Sequence, residues 1–227
     1  MKKFLLLSVV ALFGVSCDAR ASVSQICDEA AAHVASETGV PLSVLQAITR
    51  TETGRVREGQ IQPWPWTVNM EGDGFWFDST RDALDYVLLE HSSGAQSFDV
   101  GCFQINFRWH GGNFASIEEM FDPIANARYA ARFLSDLYME KGNWPDAAGA
   151  YHSRTPELAE RYSARFTRIL NSIANNSDIQ AGAETPISTT AANTFPLLQV
   201  SGSVIGAGSL VPIGGIAALP GLGAQRE

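Results

Sequence analysis

Helix punctuation governs what this chain can fold into. From Gln25 to Ile173 a succession of segments carries apolar residues at helical spacing, and each opens or closes on a residue that fixes its end. A first helix is expected near Gln25 to Glu37, stopped by Gly39. A second opens with Pro41 in its first turn and reaches Glu52. Ser79, with Asp82 three residues on, caps a third that ends near His91. Asp122-Pro123 starts a helix to about Lys141 with Ala127, Ala131, Leu134 and Tyr138 as its inward stripe. Asn143 with Asp146 opens the next, and Thr155-Pro156 opens a last one, lined by Leu158, Tyr162, Phe166, Ile169 and Ile173. Between helices, Thr67-Val-Asn-Met and Gly74-Phe-Trp-Phe flank a Gly-rich turn and read as a small β-hairpin. The expected class is mainly α with one hairpin.

One position breaks the pattern. Val44, Leu45 and Ile48 form the apolar stripe of the second helix, and Glu52 continues it four residues beyond Ile48. Glutamates are rarely buried unless something requires them there, and a carboxyl group that loses its hydration holds its proton more tightly. That is the property a general acid needs near neutral pH. The alternative is a helix that surfaces in its last turn and leaves Glu52 solvated. The helix alone does not separate the two.

The first 21 residues read as an export signal. Lys2 and Lys3 precede the apolar run Phe4 to Val15, and Ala19-Arg20-Ala21 offers a small-x-small cleavage site. Cleavage removes three basic residues and one acidic residue, which moves the formal charge from -8 to -10 and leaves Lys141 as the sole lysine. A basic stripe for nucleic acid and a basic amphipathic helix for a membrane surface are both missing from such a chain. Two cysteines remain, Cys27 and Cys102, in a compartment that permits disulfides. They are expected to pair, a closure worth about 4 kcal/mol in the chain-entropy model.

Composition changes near Asn175. No charged residue occurs between Glu184 and Arg226, and Gly, Ala, Ser, Thr and Pro dominate. Val204 to Ala224 is apolar, but Pro212, Pro220 and its glycines argue against a stable membrane-spanning helix. The chain therefore divides into a signal peptide over 1–21, one domain over 22–174, and a low-complexity tail over 175–227 that is expected to be disordered. The tail is either a partner-binding segment that orders on contact or a plain extension.

Three short segments carry the chemistry: Thr51-Glu52-Thr53-Gly54, Gly101-Cys102-Phe103-Gln104-Ile105-Asn106, and Ala150-Tyr151-His152-Ser153. In this order and spacing they resemble the signature of the soluble lytic transglycosylases of bacterial cell walls, which share a lysozyme-like α+β fold. The resemblance spans roughly Ile26 to Leu170. It implies Glu52 as the sole catalytic acid, with Thr53, Gln104, Asn106, Tyr151 and His152 at the family's substrate-binding positions, the Tyr151 hydroxyl facing the catalytic carboxyl group. Phe103 stands where the family usually has methionine, Cys102 where it has leucine, and His152-Ser153 where it has Asn-Ala. Trp64-Pro-Trp-Thr-Val-Asn69 and the Tyr-His-Ser segment are similar to a proteobacterial subgroup, some of whose members serve flagellar or secretion assemblies. The implied partners are peptidoglycan glycan strands and, for the tail, a flagellar rod or secretion component; the implied location is the periplasm.

The resemblance also implies how one acid suffices. Most glycosidases need two carboxyl groups. A lytic transglycosylase cleaves the MurNAc–GlcNAc bond without water, because the C6 hydroxyl of the muramic acid attacks its own C1. A hydrolytic muramidase of the goose-lysozyme type would need a second acid, and Asp99, Asp73 and Glu71 are the available ones, each better explained as a cap or turn former. A non-catalytic wall-binding scaffold is the other alternative. Trp64, Trp66, Phe75, Trp76, Phe77 and Trp109 can stack on sugars, with core packing the default for each. His33, His91, His110 and His152 show no metal-ligand spacing, so no metal and no cofactor are expected.

Overall fold

The computed structural model describes residues 23–57 and 59–181. The expected signal peptide over 1–21 and the expected tail beyond residue 181 lie outside them. Helix α1 (Val23–Thr38) is followed by α2 (Leu42–Thr53), which ends at Gly54. A hairpin of β1 (Arg55–Arg57) and β2 (Gln60–Gln62) comes next, then β3 (Thr67–Met70) and β4 (Asp73–Trp76). Helix α3 (Thr80–Ser92) leads into β5 (Phe98–Val100) and β6 (Ile105–Asn106), then the short α4 (Phe107–His110) and α5 (Ile117–Phe121). The chain closes with α6 (Pro123–Lys141), α7 (Trp144–His152) and α8 (Pro156–Ala181).

The caps act as the sequence predicts. The Ser79 hydroxyl accepts from the Asp82 N–H at 3.2 Å, the Asp122 carboxylate from the Ala125 N–H at 2.7 Å, and the Asn143 side-chain oxygen from the Asp146 N–H at 2.9 Å. Each satisfies a backbone donor that a helix start leaves without an internal partner. Gly142 ends α6 in the left-handed conformation at φ 78°, where a glycine carries no steric penalty. One expectation is corrected. Tyr138 does not face inward: it is 38% exposed and stacks on Trp144 with ring centroids 4.2 Å apart. Helix α8 runs to Ala181.

The β content exceeds the single hairpin predicted. Thr67–Met70 and Asp73–Trp76 do pair antiparallel, Thr67 opposite Trp76, but they belong to a four-stranded sheet in the order β4-β3-β5-β6. Val68 lies opposite Val100, and Asp99 opposite Asn106. Strands of two or three residues are too short to display the alternation by which a sequence announces a strand.

Helix α2 runs through the middle of the helical layer, packed against α1 and α8, while α1 packs on α6 and α7 on both α6 and α8. Arg50 ties it to α1 through a two-pronged ion pair with Asp28, at 2.7 and 3.0 Å. Cys27 of α1 is bonded to Cys102 in the turn between β5 and β6, with Cα atoms 5.6 Å apart and 75 residues of chain closed between them. The expected disulfide therefore forms, and it fastens the turn between β5 and β6 to the helical layer.

Candidate active site

The last turn of α2 is polar and buried. Thr49, Thr51 and Thr53 are fully buried, and Glu52 is 6% exposed. Each threonine hydroxyl donates to a carbonyl a turn back along the helix, to Gln46, Ala47 and Thr49 at 2.9, 2.7 and 2.9 Å, so none is left unsatisfied. The helix does not surface here. Of the two readings of Glu52, the buried one is the one realised.

What meets Glu52 differs from the expectation. Tyr162, on the inward face of α8, donates its hydroxyl to Glu52 Oε1 at 2.7 Å across 110 residues of chain. The Tyr151 hydroxyl, expected to face the carboxyl group, instead donates to the Phe103 carbonyl at 2.8 Å. Both phenols are fully buried, and both have their pKa pushed well up, first by burial and then by the nearby Glu52 charge. Tyr151 is thus close to the acid electrostatically, but Tyr162 holds it. Arg165, one turn beyond Tyr162, completes the cluster: burial lowers its pKa, while the Tyr162 and Glu52 charges act in the opposite sense.

The second motif is a scaffold bent into an unusual shape. Gly101 sits at φ 82° and Gln104 at φ 48°, a left-handed conformation that is uncommon for a residue with a side chain. The bend is held from several sides. Gln104 donates its side-chain N–H groups to the carbonyls of Thr67 and Gly101, each at 3.0 Å. Asn126 of α6, fully buried, accepts from the Phe103 N–H at 3.0 Å and donates to the carbonyls of Val100 and Met120 at 3.1 and 3.0 Å. A side chain on Gly101 would press within 3.0 Å of the Asn126 amide, so the glycine is needed for space as well as for its φ. Asn106 donates to Asp99 Oδ1 at 2.8 Å and caps α4 by accepting from the Trp109 N–H at 3.3 Å.

Of the residues expected at the site, Thr53 adjoins Glu52 at the end of α2 and Tyr151 feels its charge, while the side chains of Gln104 and Asn106 are engaged with Thr67, Gly101, Asp99 and Trp109. The Thr53 hydroxyl also accepts from the Trp64 N–H at 3.0 Å, which ties the end of α2 to the start of the sheet. His152 stacks flat on Tyr162, ring centroids 4.7 Å apart and planes 11° from parallel. Burial pushes its pKa down to about 4, helped by Arg165, so its ring is neutral at pH 7. Its Nδ1 is buried without a hydrogen-bond partner.

Sequence reasoning missed Tyr162, Arg165 and Asn126 as parts of this site. Tyr162 was legible only as one apolar-face residue among five. The signal that could have singled it out is its hydroxyl, since a buried tyrosine needs a polar partner. Asp99 also moves: it is 3% exposed and sits within β5, not at a loop start. Glu71, at φ 52°, and Asp73 lie exposed in and beside the β3–β4 turn, where turn chemistry accounts for them. Of the aromatics proposed for sugar stacking, Trp64 is buried, whereas Phe75 and Trp109 are exposed by 37% and 44%. Among the described residues no cluster of three or more His, Cys, Asp or Glu side chains could hold a metal ion, and no helix is long and apolar enough to cross a membrane.

Residues 88–167 match the family model of the transglycosylase SLT domain. The match covers Gln104, Asn106, Tyr151, His152 and Tyr162 and begins beyond Glu52. No curated protein and no solved structure matches the chain.

Proposed function

We propose that this chain, with a transglycosylase SLT domain over residues 88–167, is a peptidoglycan lytic transglycosylase that uses Glu52 as its acid and base. The SLT domain supports lytic transglycosylase activity on peptidoglycan. One observation carries the assignment of the acid: Tyr162, inside the family match, donates to Glu52, outside it, at 2.7 Å, with Glu52 only 6% exposed.

In the proposed cycle Glu52 gives its proton to the oxygen of the MurNAc–GlcNAc bond as the bond to C1 breaks. The C6 hydroxyl of the same muramic acid closes on C1, and the Glu52 carboxylate takes the hydroxyl's proton. The products are a free C4 hydroxyl and a 1,6-anhydro ring, and the acid is restored without water. Tyr162, by donating to Oε1, steadies the carboxylate in the interval when it bears charge. A neutral His152 lying flat on Tyr162 adds no competing positive charge there.

Asp99 gives a second reading its footing, because it is the other buried carboxylate near Tyr151. A hydrolase would use it to activate water. Its Oδ1 is already held by Asn106, which favours a structural post. Digestion of purified sacculi in 18O-labelled water decides: the transglycosylase reading expects anhydro ends without label, and labelled reducing ends would replace it by hydrolysis. Failure of the wild type to clear sacculi at all would leave a wall-binding scaffold. We further place the protein in the periplasm, on the basic-then-apolar leader of residues 1–21, and assign it to local wall opening for a flagellar or secretion assembly, with the uncharged stretch between Glu184 and Arg226 as the docking segment.

A further inference from the structure

Immediately after the helix that bears Glu52, strand β1 sets Arg55 and Arg57 on one face, since alternate residues of a strand point the same way. Both guanidinium groups stand on aromatic rings. The Arg55 Cζ lies 5.4 Å from the ring centroid of Trp64 and 5.4 Å from that of Trp76. The Arg57 Cζ lies 4.7 Å from the Trp64 ring. Two cations thus share one indole.

Burial, with Arg57 beside it, lowers the pKa of Arg55, and Asp78 offsets this only through space. Among the described residues no carboxylate lies within ion-pair distance of either guanidinium, although Arg50, Arg128 and Arg154 all have carboxylate partners. Nor is the pair part of a general basic surface, because the chain as a whole carries a net charge of -8. A third donor completes the group: the Trp76 indole N–H is buried with no acceptor, whereas that of Trp64 is satisfied by the Phe77 carbonyl at 2.7 Å. Among the described residues the cluster is rich in donors and short of acceptors. A guanidinium group resting on an indole face keeps N–H edges that a carboxylate can meet with two parallel hydrogen bonds.

We propose that Arg55 and Arg57, braced on Trp64 and Trp76, form a carboxylate-binding subsite that engages an acidic group of the peptidoglycan strand next to the bond being cleaved. The inference rests on the peptidoglycan reading above and deepens it. The strand offers that chemistry from two sources: the carboxylates of the stem peptide, and the lactyl carboxylate of a muramic acid whose peptide has been removed. Placement supports the role. Only Thr53 and Gly54 separate Glu52 from Arg55, and Trp64 is tied to Thr53 by its own N–H.

Retention on insoluble sacculi tests this without turnover if Glu52→Gln is the background. Glu52→Gln and the triple variant Glu52→Gln/Arg55→Gln/Arg57→Gln are sedimented with purified sacculi at roughly 0.02 and 0.3 M salt. The triple variant should be retained about tenfold less at low salt, and added salt should weaken the parent far more than the triple variant. Arg57→Gln alone, at an exposed position where folding is not at stake, should show part of the loss, and Arg57→Lys should recover some of it. Sacculi whose carboxylates have been amidated should hold parent and triple variant alike. On strands stripped of peptide by an amidase, a persisting difference identifies the lactyl carboxylate and a vanished one identifies the stem. Equal retention of all variants on untreated sacculi overturns the subsite. Arginine-dependent retention by a protein that clears no sacculi would overturn the catalytic reading and keep the subsite.

Discussion

Glu52 and Tyr162 show how a single hydrogen bond can define a site. Glu52 is 6% exposed and Tyr162 1%, so the pair interacts where water screens little. Glu52→Gln should abolish clearing of sacculi while leaving the fold intact, read by turbidity together with circular dichroism. Tyr162→Phe removes the donor to Oε1 and should lower kcat about tenfold or more with KM little changed. Because the lost bond favours the charged carboxylate, the alkaline limb of the rate profile should move to higher pH in that variant. An unchanged profile would mean that Tyr162 only fills space. His152 makes a different prediction. Its pKa falls from 6.5 in a model compound to about 4 in the folded protein, so between those values the unfolded chain binds a proton that the folded one refuses. Stability should therefore fall as pH drops through that window, by on the order of 3 kcal/mol, and change no further from this source below it. His152→Asn should remove that component, which melting curves at about pH 4.5 and 7.5 would reveal as a smaller gap than in the wild type.

At the scale of elements, the end of α2 depends on a close approach. A Cβ on Gly54 would lie 2.2 Å from the Arg50 carbonyl oxygen and 2.7 Å from the Ile61 side chain. The glycine is required by space, since its φ of -62° suits any residue. Gly54→Ala should cost about 1–3 kcal/mol or more through forced displacement of the β1–β2 hairpin, seen as a lower denaturant midpoint. Gly149 plays the same part between α7 and α8, where a Cβ would meet the Ala159 carbonyl at 2.8 Å. Gly54 thus lets β2 close on the end of α2, and Gly149 lets α8 close on α7. A sequence shows a glycine at either place but not the backbone that crowds it.

At the scale of the molecule, the disulfide joins the helical layer to the turn that carries Gln104. Removing it with Cys27→Ser and Cys102→Ser frees a loop of 75 residues, at an expected cost of about 4 kcal/mol. The same loss should follow reduction of the wild type, and a melting temperature unmoved by reductant would refute it. Activity should decline before global unfolding, because the turn of Gly101 to Gln104 loses its tether to α1 while the bonds to Asn126 remain.

What could be read from the chain alone were the features whose cause lies within a few residues. A cap and the N–H it serves are three positions apart, as at Ser79, Asp122 and Asn143. An apolar stripe repeats within a turn, and the out-of-place acid at Glu52 is visible against its own helix. Tertiary structure alone decided which groups meet across the fold. Tyr162 reaches Glu52 over 110 residues, Asn126 holds a turn 23 residues away, and Asp99 joins a sheet whose strands are too short to show a period. The physical reason is the same in each case: burial and pairing are properties of what surrounds a residue in space, and local spacing carries no record of that.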